Sequence, residues 1–219
     1  MLKKLKGLVI DHLNFNNVIK LVVALSLVCI AQGVNAGTVG SVGVSSDYVF
    51  RGQSQHGGDY ALSASLGVET GSGLYANVWV SDVDYGDGLA THEVDTVLGF
   101  SKELFGIGFD LAHIDYAYQG DSSKDLSEVL ISADFGGFQL SHFVGQDDAS
   151  DYTEVSTGVL EVVDLAYGDY DGVGSHYSVS KGFDALSGSV TLSYTDFTAD
   201  NNSGLSDETN LSVSYHYSF

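Results

Sequence analysis

Proline is absent from this 219-residue chain. Proline removes a ladder hydrogen bond, so a chain without it leaves every position open to sheet pairing. Cysteine occurs once, as Cys29, and the protein has no disulfide framework to rely on. Long apolar runs are also missing. The longest, Leu21–Ala31, is eleven residues, whereas a membrane-spanning helix needs roughly 20. Basic residues are scarce: eight, against 29 acidic ones. So acidic a chain has no basic surface for phosphate backbones, which excludes a nucleic-acid partner, and it should attract cations.

What is present divides into two parts. Residues 1–36 read as a signal peptide: Lys3, Lys4, Lys6 and Lys20 carry positive charge, Leu21–Ala31 is the apolar core, and Val34-Asn35-Ala36 offers small residues for cleavage. Four basic residues and one acid lie in that leader, as does Cys29. The remaining 37–219 segment then carries four basic residues against 28 acids, a net charge of −24 over 183 residues without cysteine. An exported chain of this kind must be stabilised by backbone pairing and packing.

Residues 37–219 form a succession of roughly ten-residue alternating runs separated by turn residues, the pattern of a transmembrane barrel. The spacing predicts strands near 39–50, 59–69, 73–82, 92–102, 106–118, 125–134, 137–145, 152–157, 159–167, 174–182, 187–197 and 208–219. The connections at 70–73, 103–105, 135–137 and 183–186 are short. Those at 51–59, 83–91, 119–124, 146–151, 168–174 and 198–206 are longer and polar. Short turns on one rim and long loops on the other fit periplasmic and extracellular sides. With both termini on the periplasmic side the strand number is even. The expected fold is all-β: an antiparallel up-and-down transmembrane β-barrel of twelve strands, with ten as the alternative count.

Facing follows from the period of two. In the last strand Leu211, Val213, Tyr215, Tyr217 and Phe219 should meet lipid, while Ser212, Ser214 and His216 face the lumen. Pairing with the first strand near Val42 to Tyr48 would close the barrel. Leu74, Ala76, Val78 and Val80 likewise face outward, leaving Tyr75, Asn77, Trp79 and Ser81 inside. The same parity puts Glu69, Glu93, Asp95, Glu128 and Asp134 on the inner wall, where charge avoids hydrocarbon. Tyr and Phe near strand ends read as interfacial girdles rather than as platforms for stacking a ligand.

The segment Ser46-Asp-Tyr-Val-Phe-Arg-Gly-Gln-Ser-Gln55, followed by Gly73-Leu-Tyr-Ala-Asn-Val-Trp-Val-Ser-Asp-Val83 and His92-Glu-Val-Asp95, resembles the TorF-type porin family of proteobacterial outer-membrane proteins. The resemblance covers the 37–219 segment and rests chiefly on Tyr48-Val-Phe-Arg-Gly52. It implies an outer-membrane barrel and a channel, and no substrate. Members tend to carry a Pro soon after the Arg-Gly pair, and this chain has none there. The alternating strand that ends on Phe219 also resembles the signal read by the barrel-assembly machinery, with Tyr215, Tyr217 and Phe219 as its residues.

Arg51, the one arginine of the chain, is the first candidate. It either tunes ion selection at a mouth or constriction or ties the first loop to a neighbouring strand. Glu69, Glu93, Asp95, Glu128 and Asp134 either form a cation-preferring path or brace a closed barrel. The functional expectation is an outer-membrane porin or narrow channel for small solutes or cations. The alternative is a non-conducting structural or surface barrel whose acidic loops bind divalent ions among lipopolysaccharide. The expected partners are outer-membrane lipid and lipopolysaccharide, the assembly machinery during insertion, and the solute. No cofactor or metal site is expected: the 82–93 stretch fails the calcium-loop pattern at Gly86 and Asp87, and no His-Glu-x-x-His occurs. No Gly-x-Ser-x-Gly elbow accompanies His92, His113 or His142, so an enzyme is not expected.

Overall fold

In a computed structural model, the structure describes residues 36–159 and 162–219. The expected leader therefore lies, apart from Ala36, outside the described residues. The chain forms β1 (Ala36–Ser45), β2 (Val49–Phe50), β3 (Gln53–Ser54), β4 (Ala61–Thr70), β5 (Leu74–Asp82), β6 (His92–Leu104), β7 (Ile107–Gln119), β8 (Leu126–Phe135), β9 (Phe138–Gly145), β10 (Tyr152–Val159), β11 (Val163–Tyr170), β12 (Gly174–Ala185), β13 (Gly188–Ala199) and β14 (Glu208–Ser218), with one short 3-10 turn at Ser122–Lys124. All but β2 and β3 join in one closed antiparallel barrel of twelve strands, each paired with its neighbour in sequence.

Closure is made by β1 against β14, from Ser41 opposite Ser218 to Ser45 opposite Ser214. Beyond that ladder, Gly40 and Phe219 exchange both backbone hydrogen bonds at 2.9 Å. The Phe219 ring lies on Gly40, where any Cβ would meet it at 2.6 Å. A larger residue at 40 would displace the terminal ring from the seam.

The expected facing holds. Leu62, Leu74, Leu98, Leu111, Ile131, Leu140, Leu192 and Leu211 are exposed on the outer wall, while the alternate positions turn inward as the pleat requires. Outward aromatics gather at two levels. Phe100, Phe109, Phe135, Phe138, Phe183, Tyr217 and Phe219 lie toward the short turns, and Tyr60, Tyr167, Tyr177 and Tyr194 toward the long loops. An apolar belt between aromatic girdles is the outer surface of a barrel that sits in a bilayer.

Strand ends fall within three residues of expectation except at two places. β10 and β11 meet at Val159 opposite Val163, so the second of them starts four residues later than 159 and its outer loop shrinks to 171–173. The run Val159-Leu-Glu-Val-Val163 contains no turn residue to mark the reversal. The larger difference is in the first strand, which stops at Ser45 rather than at residue 50. Ser46 still donates its backbone N–H to Val213 of β14 at 2.8 Å, and beyond it the chain leaves the wall and enters the barrel.

Candidate functional site: a latched loop inside the barrel

Of the segment between β1 and β4, residues 47–55 fold into the lumen, and 57–60 return exposed to the rim. Its tip is the β2–β3 hairpin, in which Phe50 pairs with Gln53. The two turn residues, Arg51 and Gly52, have φ of 48° and 86°, as a two-residue type I′ turn demands. Arg51 accepts a left-handed backbone that a non-glycine residue rarely adopts, so the surroundings must hold it there. Gly52 is required: a Cβ at this position would meet the His176 Cβ at 2.7 Å and the Phe197 Cβ at 3.0 Å.

The hold on Arg51 is specific. Its Nη1 and Nη2 donate to Glu128 Oε1 and Oε2 at 2.8 and 2.7 Å, a bidentate fork. The side chains are 5% and 0% exposed. The Tyr116 hydroxyl donates to Glu128 Oε2 at 3.0 Å. Four rings surround the guanidinium, with centroids 4.7 Å away for Phe50, 4.8 Å for Phe143, 4.0 Å for Tyr152 and 5.0 Å for Tyr170. Burial opposes the charge on Arg51, but the hydrogen bonds and charge of Glu128 more than offset it, and the guanidinium is held above its ordinary pKa.

Further contacts seat the rest of the loop. Asn210 donates to the Gly52 carbonyl at 3.0 Å and the Ser54 backbone donates to Glu208 at 2.8 Å. Tyr85 donates to Gln55 at 2.7 Å, and Tyr48 packs edge-on against Trp79, centroids 5.1 Å apart. Burial pushes the Tyr48 phenol above its ordinary pKa, and the adjacent Glu93 and Asp95 charges push the same way. Burial also raises Asp47, against the hydrogen bond it accepts from Ser54.

The structure separates the five inner-wall acids into two levels. Glu128, Glu93 and Asp95 lie beside the inserted loop. Glu69 and Asp134 lie at the short-turn end, lining a cavity of about 450 Å³ with Glu103, Asp110 and one basic residue, Lys102. On the other side of the loop, Ser54, Asp84, Tyr85, Glu208 and Asn210 line a second cavity of about 510 Å³. The inserted hairpin thus sits between an acidic inner vestibule and the long-loop rim.

Among the described residues no cation pairs with Glu93 or Asp95, unlike Glu128. They occupy successive inward positions of β6. Tyr118 donates to Glu93 Oε1 at 3.0 Å, but among the described residues nothing hydrogen-bonds to the buried Glu93 Oε2 or Asp95 Oδ1. Asp95→Asn removes one of two adjacent charges and supplies an amide donor to Glu93. Satisfying a buried acceptor is worth about 1–3 kcal/mol, so this variant should unfold at higher urea. A lower midpoint would show that the Asp95 carboxylate stabilises the fold.

A second buried cluster lies under the tip. Tyr152 donates to Glu154 Oε2 at 2.6 Å and lies 2.8 Å from His176 Nε2. The rings of Tyr152 and His176 stack within 4° of parallel. Tyr116, Phe143, Tyr152 and Tyr170 thus lie inside the barrel, apart from the girdles expected of Tyr and Phe near strand ends. A wet lumen has no use for so many large rings; here they pack on the loop.

A closed barrel with an apolar outer belt and a charged, loop-filled interior defines a membrane-type β-barrel carrying an internal plug. More particularly, a family model described as "Bacterial protein of unknown function (Gcw_chp)" matches residues 32–218, and the chain belongs to that family. Among solved structures, the COG4313 outer membrane channel from Pseudomonas putida F1 is similar at 14% identity, covering 85% of this chain and 96% of that one, with a TM-score of 0.32. So loose a likeness transfers no site. No curated protein matches.

Proposed function

We propose that the protein is an outer-membrane channel for small solutes, cation-preferring, and kept shut at rest by the loop at residues 46–60. The observation that carries this is the inserted hairpin between two cavities lined largely by polar residues, packed on the aromatic rings and acids of the inner wall. A barrel built only as a membrane staple needs no acidic vestibule and no removable filling. Twelve strands enclose more space than side chains alone fill, which in barrels happens near eight, and here a loop occupies the surplus. Acids at both levels raise the local concentration of cations, and a ring of acid favours their passage. The TorF-type resemblance of the Tyr48–Gly52 segment points the same way. Outside the barrel the partners are outer-membrane lipid and lipopolysaccharide, and the assembly machinery reads Tyr215, Tyr217 and Phe219 during insertion. No catalytic role is assigned.

The test is conductance. Residues 47–59 are replaced by a short glycine-containing link, and wild type and the excised barrel are compared in planar bilayers. Wild type should conduct rarely, and the excised barrel should show steady current with a reversal potential displaced toward the cation. Silence from both proteins, each folded and heat-modifiable, would sink the channel in favour of a surface barrel whose acidic loops bind divalent ions.

A further inference from the structure

The box around Arg51 is built mainly by the barrel rather than by the loop. Of the four rings facing the guanidinium, only Phe50 belongs to the inserted segment. Phe143, Tyr152 and Tyr170 belong to β9, β10 and β11. The carboxylate fork is Glu128 of β8, and Tyr116 of β7 holds that fork in place. Five consecutive strands therefore present a buried carboxylate framed by aromatic faces, and this wall is complete when the loop is removed from it.

Such a wall has a definite chemistry. A planar cation gains from ring faces within about 6 Å, and two parallel N–H donors match a carboxylate better than the point charge of an ammonium does. An anion would meet Glu128 with no barrel cation in the box to compensate. We propose that this wall is a binding site for small guanidinium-bearing solutes, and that Arg51 is the chain's own occupant of it. The loop then acts as a tethered competitor. Its effective concentration is on the order of millimolar or higher, so an entering guanidinium must reach comparable levels to displace Arg51, and its arrival frees the hairpin tip. The substrate class so named rests on the channel function proposed above; the binding itself does not.

Binding is read without any current, on the full-length protein in detergent. Arg51→Ala leaves the wall intact and empties the box. Methylguanidinium chloride, titrated through the millimolar range at constant ionic strength, should raise the thermal midpoint of Arg51→Ala saturably. It should raise wild type much less, because Arg51 competes for the same box. The rise should vanish in Arg51→Ala combined with Glu128→Gln. Ammonium at the same concentrations should produce a smaller shift. No saturable rise in folded Arg51→Ala overturns the site, and so does an equal rise in wild type. Where Arg51→Ala does not refold alone, the refolded fraction with and without methylguanidinium is the readout: an increase supports the site, and no increase overturns it. A barrel that binds methylguanidinium and never conducts would refute the channel and leave the site standing; a barrel that conducts without binding would do the reverse.

Discussion

Arg51→Ala should lower the stability of the folded barrel by about 3–5 kcal/mol, the usual consequence of removing one partner of a buried ion pair. The size of the effect comes from what is left behind. Glu128 is fully buried, and without the guanidinium it keeps a single hydroxyl donor, from Tyr116. The pair itself is a different quantity. Taking two charges out of water offsets much of their attraction, and apolar replacement of both partners is often neutral or stabilising. Arg51→Met with Glu128→Leu should therefore recover most of the loss, while Arg51→Met alone should not. Urea is the denaturant to use, since guanidinium is the ligand proposed for this box; its midpoint reads the difference if the slope is unchanged. A single-variant loss well under 1 kcal/mol would mean that the loop leaves the wall readily and that Glu128 is hydrated. Recovery of stability in the double variant with increased current would separate the latch from its contribution to folding.

The barrel was legible because its two faces obey different solvents. Alternation at 61–70, 74–82, 92–104 and 208–218 needs no tertiary information: lipid outside and polar lumen inside impose the period directly. The inserted loop was hidden by the same rule. Tyr48 and Phe50 continue the even-numbered apolar series of Val42 and Val44, so residues 46–50 read as the end of the first strand. The departure is encoded only in Arg51-Gly52, a weak hairpin signal beside Asn-Gly. Parity held a stronger clue. It sets Tyr116, Phe143, Tyr152 and Tyr170 on the same inner face as Glu128, and five bulky residues on one inner sector imply a lumen that is filled. The partner of Arg51 could not be read at all, because Glu128 lies 77 positions away and five inner acids were equally available. The cage geometry depends on the closure of the whole barrel.

Phe197→Ala should be nearly as damaging, by about 3–5 kcal/mol, the range for emptying a buried aromatic site. Phe197 is 1% exposed on the inner face of β13 and its Cβ closes the space beside Gly52. It touches neither Arg51 nor Glu128 by hydrogen bond, yet it and His176 are the floor on which the hairpin tip rests. The variant should therefore loosen the loop as well as open a cavity, and brief openings should be frequent in bilayers where wild type conducts rarely. Phe197→Leu, which keeps most of the volume, should lose less than about 1.5 kcal/mol. The decisive comparison is with the latch. If the loop moves as one body, removing its floor and removing its ion pair report on the same event, and the losses from Phe197→Ala and Arg51→Ala should fall short of additive by about 0.5–3 kcal/mol. Strict additivity would mean that the tip can lift from Phe197 while the fork on Glu128 stays closed. The hairpin would then hinge at the Arg51-Gly52 turn instead of leaving the lumen whole.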